Sequence, residues 1–228
     1  MNNSMPSKYN KNEKLCAELV AAIRNAPGGW LMIHHPLVVT LYPAPHAMLN
    51  GMLQHKKKAV VQAVTKKDWN SYIFLHERPY RVKAFQQIVK KLDDKNYWSL
   101  LGEIWTDSEN IRQHLGWWKK VLWSPRPQRD FMMEPAERKF LRSLPKTLAV
   151  YRGCTQKHIE GLSWTLDKKL AVGFANRFAG LAEKVGIAHL VSGTCKKDDV
   201  IAFFNCREER EIVIDPRRVI GKTVERLA

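Results

Sequence analysis

The residues best suited to chemistry stand in three short segments of the last third of the chain. In order, they are Val150-Tyr151-Arg152-Gly153, Leu162-Ser163-Trp164-Thr165 and Glu209-Arg210-Glu211-Ile212-Val213. An arginine offers a two-pronged donor for phosphate or ribose oxygens. A carboxylate can stabilise the positive charge that develops in a transition state, and a hydroxyl can position both groups. This set therefore suits a reaction that passes through a cationic, oxocarbenium-like state on a sugar.

The ordered set of Arg, Ser or Thr, and Glu-x-Glu resembles the arginine–serine–glutamate class of mono-ADP-ribosyltransferases. The resemblance implies a reaction in which nicotinamide leaves NAD and the ADP-ribose passes to an acceptor, with NAD as a substrate and no metal. It implies that Arg152 binds the dinucleotide, that Ser163 braces the arginine and the glutamate, and that Glu211 holds the NAD ribose. Gly153 lacks a side chain, so we expect a ligand to approach the backbone there.

Strand alternation refines these roles. Ser163 and Thr165 flank Trp164, so in a strand both hydroxyls face one side and the indole faces the other, where we expect it to pack. The family's usual pattern here is Ser-Thr-Ser, so Thr165 is a softer match. Glu209 and Glu211 are two residues apart, and an extended chain would put both carboxylates on one side, which raises the pKa of one of them.

By the resemblance, Glu209 faces and activates the acceptor. Glu208 is also acidic, which leaves the register of this cluster open. The motifs cover residues 147–228, and we expect the helices from about Asn96 to Leu144 to complete the cleft.

The charge of the chain bears on the acceptor. Its net charge is +16, and residues 1–146 hold 24 Lys and Arg against 12 Asp and Glu. Such an excess attracts polyanions, of which nucleic acid is the commonest in a cell. Lys56-Lys57-Lys58 and Lys66-Lys67, with Trp69 and Tyr72 nearby, could follow a phosphate backbone. A generally basic surface, or one that complements an acidic partner protein, explains the same composition.

The pattern of apolar residues predicts an α+β protein, with a helical N-terminal lobe and a β-rich NAD-binding core of the ADP-ribosyltransferase type. We expect a basic, mainly helical accessory region over residues 1–95 and the catalytic domain over residues 96–228. The periodicity predicts helices at 12–23, 48–64, 80–92, 108–122, 134–144 and 167–178, and strands at 147–151, 187–191, 200–204 and 211–214. Residues 98–105 continue the apolar pattern. Residues 30–42 are expected to be an edge strand or an extended segment.

Other features are less informative. No run of 18 apolar residues is present, so no membrane partner is expected, and residues 1–14 lack the apolar core of a signal peptide, which favours the cytoplasm. The four cysteines form no metal-type pair and are expected to be reduced thiols. His34-His35-Pro36 lacks further ligands at a suitable spacing for a metal site.

Three functions remain open at this point. The Glu-x-Glu turn is, in the resembled family, typical of transfer to protein arginine, whereas the positive charge favours nucleic acid, with RNA as the leading acceptor. A non-catalytic, basic nucleic-acid-binding module is the alternative from another class. Family members often act as toxins, as phage or bacterial effectors or as defence components, so an antitoxin or a regulatory protein is a further expected partner.

Overall fold

The computed structural model describes residues 13–109, 111–181 and 187–227, and within these ranges the protein is α+β. The described residues form eight α-helices, short 3-10 turns, and antiparallel sheets of three and six strands. The chain divides into two compact units. The first holds the described residues of Met1–Lys91 and Ser108–Trp117, and the second those of Leu92–Asp107 and Trp118–Ala228.

The first unit combines a small sheet with helices. A core of buried residues that includes Leu19, Ile33, Val38, Leu49 and Leu53 joins the sheet to the first long helix. In chain order the elements are α1 (Ala17–Val20), β1 (Ile23–Asn25), β2 (Leu31–His35), β3 (Val38–Tyr42), α2 (His46–Lys66), α3 (Trp69–Leu75) and α4 (Arg81–Ile88).

The prediction of one helix from Asn12 to Ile23 is wrong. Asn12 lies outside the described residues, the helix is confined to Ala17–Val20, and Ile23 begins strand β1. Ile23 pairs with the buried Ile33 of β2. This cross-strand contact outweighs a weak helical stripe, because tertiary packing overrides local propensity. The segment 30–42 is a hairpin, β2 and β3, with Pro36 in its turn.

Helices α5 (Asp94–Asp107), α6 (Leu115–Leu122), α7 (Pro135–Ser143) and α8 (Lys168–Leu181) follow. Two of them begin where local rules predict. Helix α7 has Pro135 in its first turn and a capping box between Glu134 and Glu137. Asp167 caps α8 by accepting hydrogen bonds from the Lys169 and Leu170 amides at 2.7 and 3.2 Å.

The six-stranded sheet lies in the second unit, in the order β7-β8-β5-β4-β6-β9. Strand β9 was not predicted, because every one of its residues is exposed and it has no buried apolar face. Strand β4 is longer than predicted, so Arg152 and Gly153 lie within it and do not follow it. The strands are β4 (Thr147–Thr155), β5 (Ser163–Thr165), β6 (Ala188–Lys196), β7 (Val200–Phe204), β8 (Glu211–Ile214) and β9 (Ile220–Arg226).

None of the helices in the described residues is both long enough and apolar enough to cross a membrane.

Candidate active site

The three motif segments come together in the sheet. They belong to β4, β5 and β8, and β5 lies between the other two. Thr165 pairs with Glu211 on one side and with Tyr151 on the other. Because residues two apart share a face of a strand, Ser163, Thr165 and Glu211 lie on the same face of this ladder. Segments that are about 60 residues apart in sequence therefore meet at one place, because the strand order is not the chain order.

The Glu211 carboxyl is the centre of this cluster. The side chain is half-buried, and its Oε2 accepts a hydrogen bond from Nε1 of Trp105, on helix α5, at 3.1 Å. The Ser163 side chain forms a second hydrogen bond to the carboxyl. Both hydrogen bonds fix the orientation of the carboxylate before any ligand arrives.

The electrostatic surroundings of Glu211 act in both directions. Burial raises the pKa of its carboxyl above the ordinary glutamate range, and this is the largest effect. The hydrogen bonds from Ser163 and Trp105 lower the pKa, since they favour the ionised form. Negative charge on Glu209 raises the pKa again, and positive charge on Arg207 lowers it. The result is a carboxyl that is costly to ionise but is provided with donors for its ionised form.

Arg152 joins the site through the main chain. Its Nε donates to the carbonyl of His158 at 3.2 Å and its Nη1 to the carbonyl of Ser163 at 2.6 Å. Tyr151 pairs with Thr165, so by alternation Arg152 starts from the opposite face of the ladder. The arginine and Ser163 are thus neighbours, and the hydrogen bond between them is to the main-chain carbonyl of the serine.

Thr165 has a structural role in the turn before β8. Its buried hydroxyl donates to the carbonyl of Glu209 at 2.7 Å and accepts from the Asp167 amide at 3.1 Å. This one side chain ties the acidic turn to the start of helix α8. Thr165, which matches the family pattern only loosely, therefore makes two defined hydrogen bonds in this fold.

The expected extended geometry between Glu209 and Glu211 is wrong. Glu208 and Arg210 have φ angles of 57° and 46°, in the left-handed region, so the chain turns between the two carboxylates. Alternation along a strand cannot then place both acids on one side. Glu209 is nevertheless close enough to raise the pKa of Glu211, so proximity arises from the turn and not from strand periodicity.

The structure explains the glycine at position 153 by packing and not by the approach of a ligand, which was expected from the sequence. A Cβ atom at this position would overlap the Ala171 carbonyl and the Ala175 amide of helix α8. The space beside Gly153 is therefore filled by helix backbone, and its role in the fold is the close approach of α8 to β4. Gly161 plays a similar part for the arginine, because a Cβ there would overlap the Arg152 guanidinium.

Two contributors were missed by sequence reasoning. Trp105 was placed only in an apolar helical run, since nothing in its neighbourhood marks an indole that donates to a carboxylate. Its ring packs edge-on against Trp118, with ring centroids 5.0 Å apart. Arg207 anchors the acidic turn by donating to the carbonyl of Thr106 on α5. Trp164, as predicted, packs: it is 2% exposed and donates to the Gly161 carbonyl.

A cavity of about 400 Å³ adjoins the same turn. Its lining includes Phe140 of α7, Phe203 of β7 and, from the turn, Glu208 and Arg210. Neither Glu209 nor Glu211 belongs to the lining. The cavity thus lies beside the candidate catalytic carboxylates and does not contain them.

Among the described residues, no group of three or more His, Cys, Asp and Glu side chains is arranged to hold a metal ion. The cysteines are free thiols; Cys154 and Cys195 are buried and Cys206 is exposed. Comparisons with protein-family models, curated proteins and solved structures return no significant match to the chain. The assignment of function rests on the residues themselves.

Proposed function

We propose that this protein is an NAD-dependent mono-ADP-ribosyltransferase with Glu211 as its central catalytic residue. One observation carries the proposal: the half-buried Glu211 carboxyl accepts hydrogen bonds from a serine and an indole N–H, and the Ser163 strand lies between the Glu211 and Arg152 strands. These are the residue types of the resembled class, in its order. Carboxyl groups whose pKa is raised by burial are concentrated at functional sites, so a purely structural role for Glu211 would be unusual.

The residues divide the work of the reaction. Glu211, ionised, stabilises positive charge on the ribose as the bond from its anomeric carbon to nicotinamide breaks and the electron pair leaves with nicotinamide. Ser163 and Trp105 keep the carboxylate in place. Arg152 supplies positive charge for the pyrophosphate. The acceptor nucleophile then bonds to the anomeric carbon, and Glu209 takes the proton that the nucleophile loses.

Nucleic acid is the acceptor that we favour, RNA first, because the positive charge repels arginine-rich proteins and attracts phosphates. Transfer to protein arginine is the second candidate, on the ground of the Glu209-Arg210-Glu211 turn. A cytoplasmic toxin or defence effector, restrained by an acidic partner protein, fits this activity. Stable production of the active protein alone in cells would count against such a partner.

The test of the donor reaction is nicotinamide release from NAD by the purified protein and by Glu211→Gln. We expect release by the wild type and none by the variant, with the same circular dichroism spectrum for both. Normal release by the variant would show that the site is assigned wrongly.

The acceptor is tested with radiolabelled NAD and a cell extract, followed by digestion with RNase, DNase or protease. Label that is lost on RNase treatment alone supports transfer to RNA. Label that is lost only on protease treatment establishes the protein acceptor instead. Salt-sensitive nucleic-acid binding with no consumption of NAD would leave only the non-catalytic basic module.

A further inference from the structure

Helix α7 has a cavity on each of two flanks. One is the 400 Å³ cavity beside the acidic turn, and Ala136, Glu137 and Phe140 are its α7 residues. The other measures about 220 Å³ and takes Arg138, Leu141 and Arg142 from α7. Positions one or two apart on a helix point about 100–200° apart, so the two sets lie on different faces of α7.

The second cavity belongs to a cationic surface, which we call the α7 basic surface. The Arg142 side chain is 73% exposed and pairs with Asp130 at 2.8 Å. Lys197 donates to the carbonyls of Arg142 and Leu144 at the end of α7, at 2.9 and 2.7 Å. The surface consists of Arg138, Arg142, Lys146, Lys196 and Lys197, and the acids that line its cavity are Asp130 and Asp198.

Strand pairing holds the other two lysines at the same place. Lys196 pairs with Thr147 across β4 and β6, and the Lys197 amide donates to the Lys146 carbonyl at 2.9 Å. Lys146 and Lys196 are both exposed. Three cations and two acids line the cavity, and Lys146 and Lys196 add two exposed cations beside it. The net positive charge is the pattern of a site for a chain of phosphates.

The turn-side cavity has the features of a base site. Its aromatic wall is Phe140, whose ring is tilted by 30° against the buried Phe203 with centroids 4.6 Å apart. The Arg210 guanidinium lies 5.6 Å from the Phe140 ring centroid. Guanidinium planes and aromatic rings both stack on unpaired bases. Glu208, exposed and also in the lining, offers an acceptor to the amino group of a base.

We propose that α7 is the acceptor-binding ridge and that its ligand is a single-stranded nucleic acid. The phosphates lie on the α7 basic surface, and one unstacked base enters the cavity beside the turn that holds Glu209. This inference rests on the proposed function, whose acceptor it specifies. A base in a duplex is stacked on both faces and paired along one edge, so it cannot enter the cavity. Only a base of a single strand is free to do so. RNA and DNA share this chemistry, and the experiment separates them.

The experiment measures fluorescence anisotropy with labelled single-stranded RNA and DNA of about 12 nucleotides, over a series of salt concentrations and without NAD. The test variant combines Arg138→Gln, Arg142→Gln and Lys196→Gln. The matched control removes three exposed cations of the first unit by Lys14→Gln, Lys83→Gln and Lys90→Gln. A third variant, Arg210→Gln, removes the guanidinium at the mouth of the cavity.

We expect the α7 variant to weaken binding at least about tenfold and to reduce the slope of log K against log salt by about 2, while the control keeps the wild-type slope. Arg210→Gln should weaken binding about tenfold with a smaller change in slope. An unchanged affinity in the α7 variant, or a loss confined to the control, overturns the proposal. So does a wild type that binds neither oligonucleotide. Tighter binding of RNA or of DNA identifies the preferred acceptor class within the proposal.

Nicotinamide release in the absence of an acceptor separates this inference from the proposed function. The α7 variant changes no residue of the Glu211 site, so we expect its basal NAD hydrolysis to equal that of the wild type. A wild type that binds RNA through α7 but releases no nicotinamide would refute the enzyme and keep the ridge. A wild type that hydrolyses NAD but loses no affinity in the α7 variant would refute the ridge and keep the enzyme.

Discussion

Trp105 donates its indole N–H to Oε2 of Glu211 at 3.1 Å, across 106 positions of sequence. The hydrogen bond lowers the pKa of a carboxyl that burial raises. An indole N–H can donate a hydrogen bond but cannot accept one. It therefore favours the ionised carboxylate over the protonated carboxyl group. Trp105 therefore positions the Glu211 carboxyl and lowers the pH at which it ionises.

Trp105→Phe keeps most of the ring but removes the donor. We expect the pKa of Glu211 to rise further, so the acid limb of the pH–rate profile for nicotinamide release moves to higher pH. Trp98→Phe is the matched control, because the buried Trp98 donates its indole N–H to the Pro127 carbonyl at 2.8 Å and not to Glu211. Equal shifts in both variants would show that general loss of packing, and not the hydrogen bond, sets the profile.

Features set by local rules could be predicted from the sequence, and features set by long-range contacts could not. The starts of α7 and α8 were predictable, because Pro135 and Asp167 act on amides within three residues of themselves. The contact between Trp105 and Glu211 was not, since it depends on where α5 lies against the sheet. Strand β9 was missed for a related reason: an exposed edge strand has no buried face to give an alternating pattern.

The candidate site also has features that could be predicted from the sequence and features that could not. The order of Arg152, Ser163 and Glu211 was enough to predict that their segments meet, and neighbouring strands bring them together. The geometry of the acidic turn was beyond sequence, because positive φ angles at two residues that are not glycine have no local signature. The reason for Gly153 also required the structure, since a ligand and a helix both demand the absence of a Cβ.

Glu211→Gln should abolish nicotinamide release, by at least about a hundredfold, because a neutral amide cannot stabilise an oxocarbenium ion. The control is Glu208→Gln, which removes an exposed acid from the same turn. We expect basal NAD hydrolysis by that control to be unchanged. A loss of activity in Glu208→Gln and not in Glu211→Gln would shift the register of the glutamate motif by three residues.

The variant Glu211→Gln, which is expected to lose activity, is also expected to gain stability at neutral pH. The folded-state pKa of Glu211 is raised, so the native state binds more protons than the unfolded state between the two pKa values. The stability of the wild type therefore falls as pH rises from the ordinary glutamate pKa through the folded pKa of Glu211. Glu211→Gln lacks this loss.

Urea denaturation over a pH series measures that difference. We expect Glu211→Gln to match the wild type in acid and to have a higher urea midpoint near pH 7. Glu208→Gln should show no such gain. A variant that is less stable than the wild type at neutral pH would mean that the carboxylate is a net stabilising group.

Thr165→Val replaces the hydroxyl that bonds both Glu209 and Asp167 with a methyl group of similar size. We expect the free energy of unfolding to fall by about 1–3 kcal/mol, because a buried amide and a carbonyl lose their partner. Transfer to an acceptor should fall more than basal NAD hydrolysis, since the turn that holds Glu209 loses its anchor. Thr165→Ser retains the hydroxyl and should restore most of both properties, measured by urea denaturation and by the two assays.

Gly153→Ala tests whether packing or ligand access explains the glycine of the first motif. The new Cβ would overlap the backbone of α8, which cannot move as a flexible side chain does. We expect a loss of about 1–3 kcal/mol in the free energy of unfolding, from forced displacement of the helix. Gly173→Ala, on α8, meets nothing within 4 Å and should be more stable by about 0.5–1 kcal/mol. If Gly153→Ala kept wild-type stability and instead raised the KM for NAD, the glycine would serve the ligand, and the close contact with α8 would be incidental.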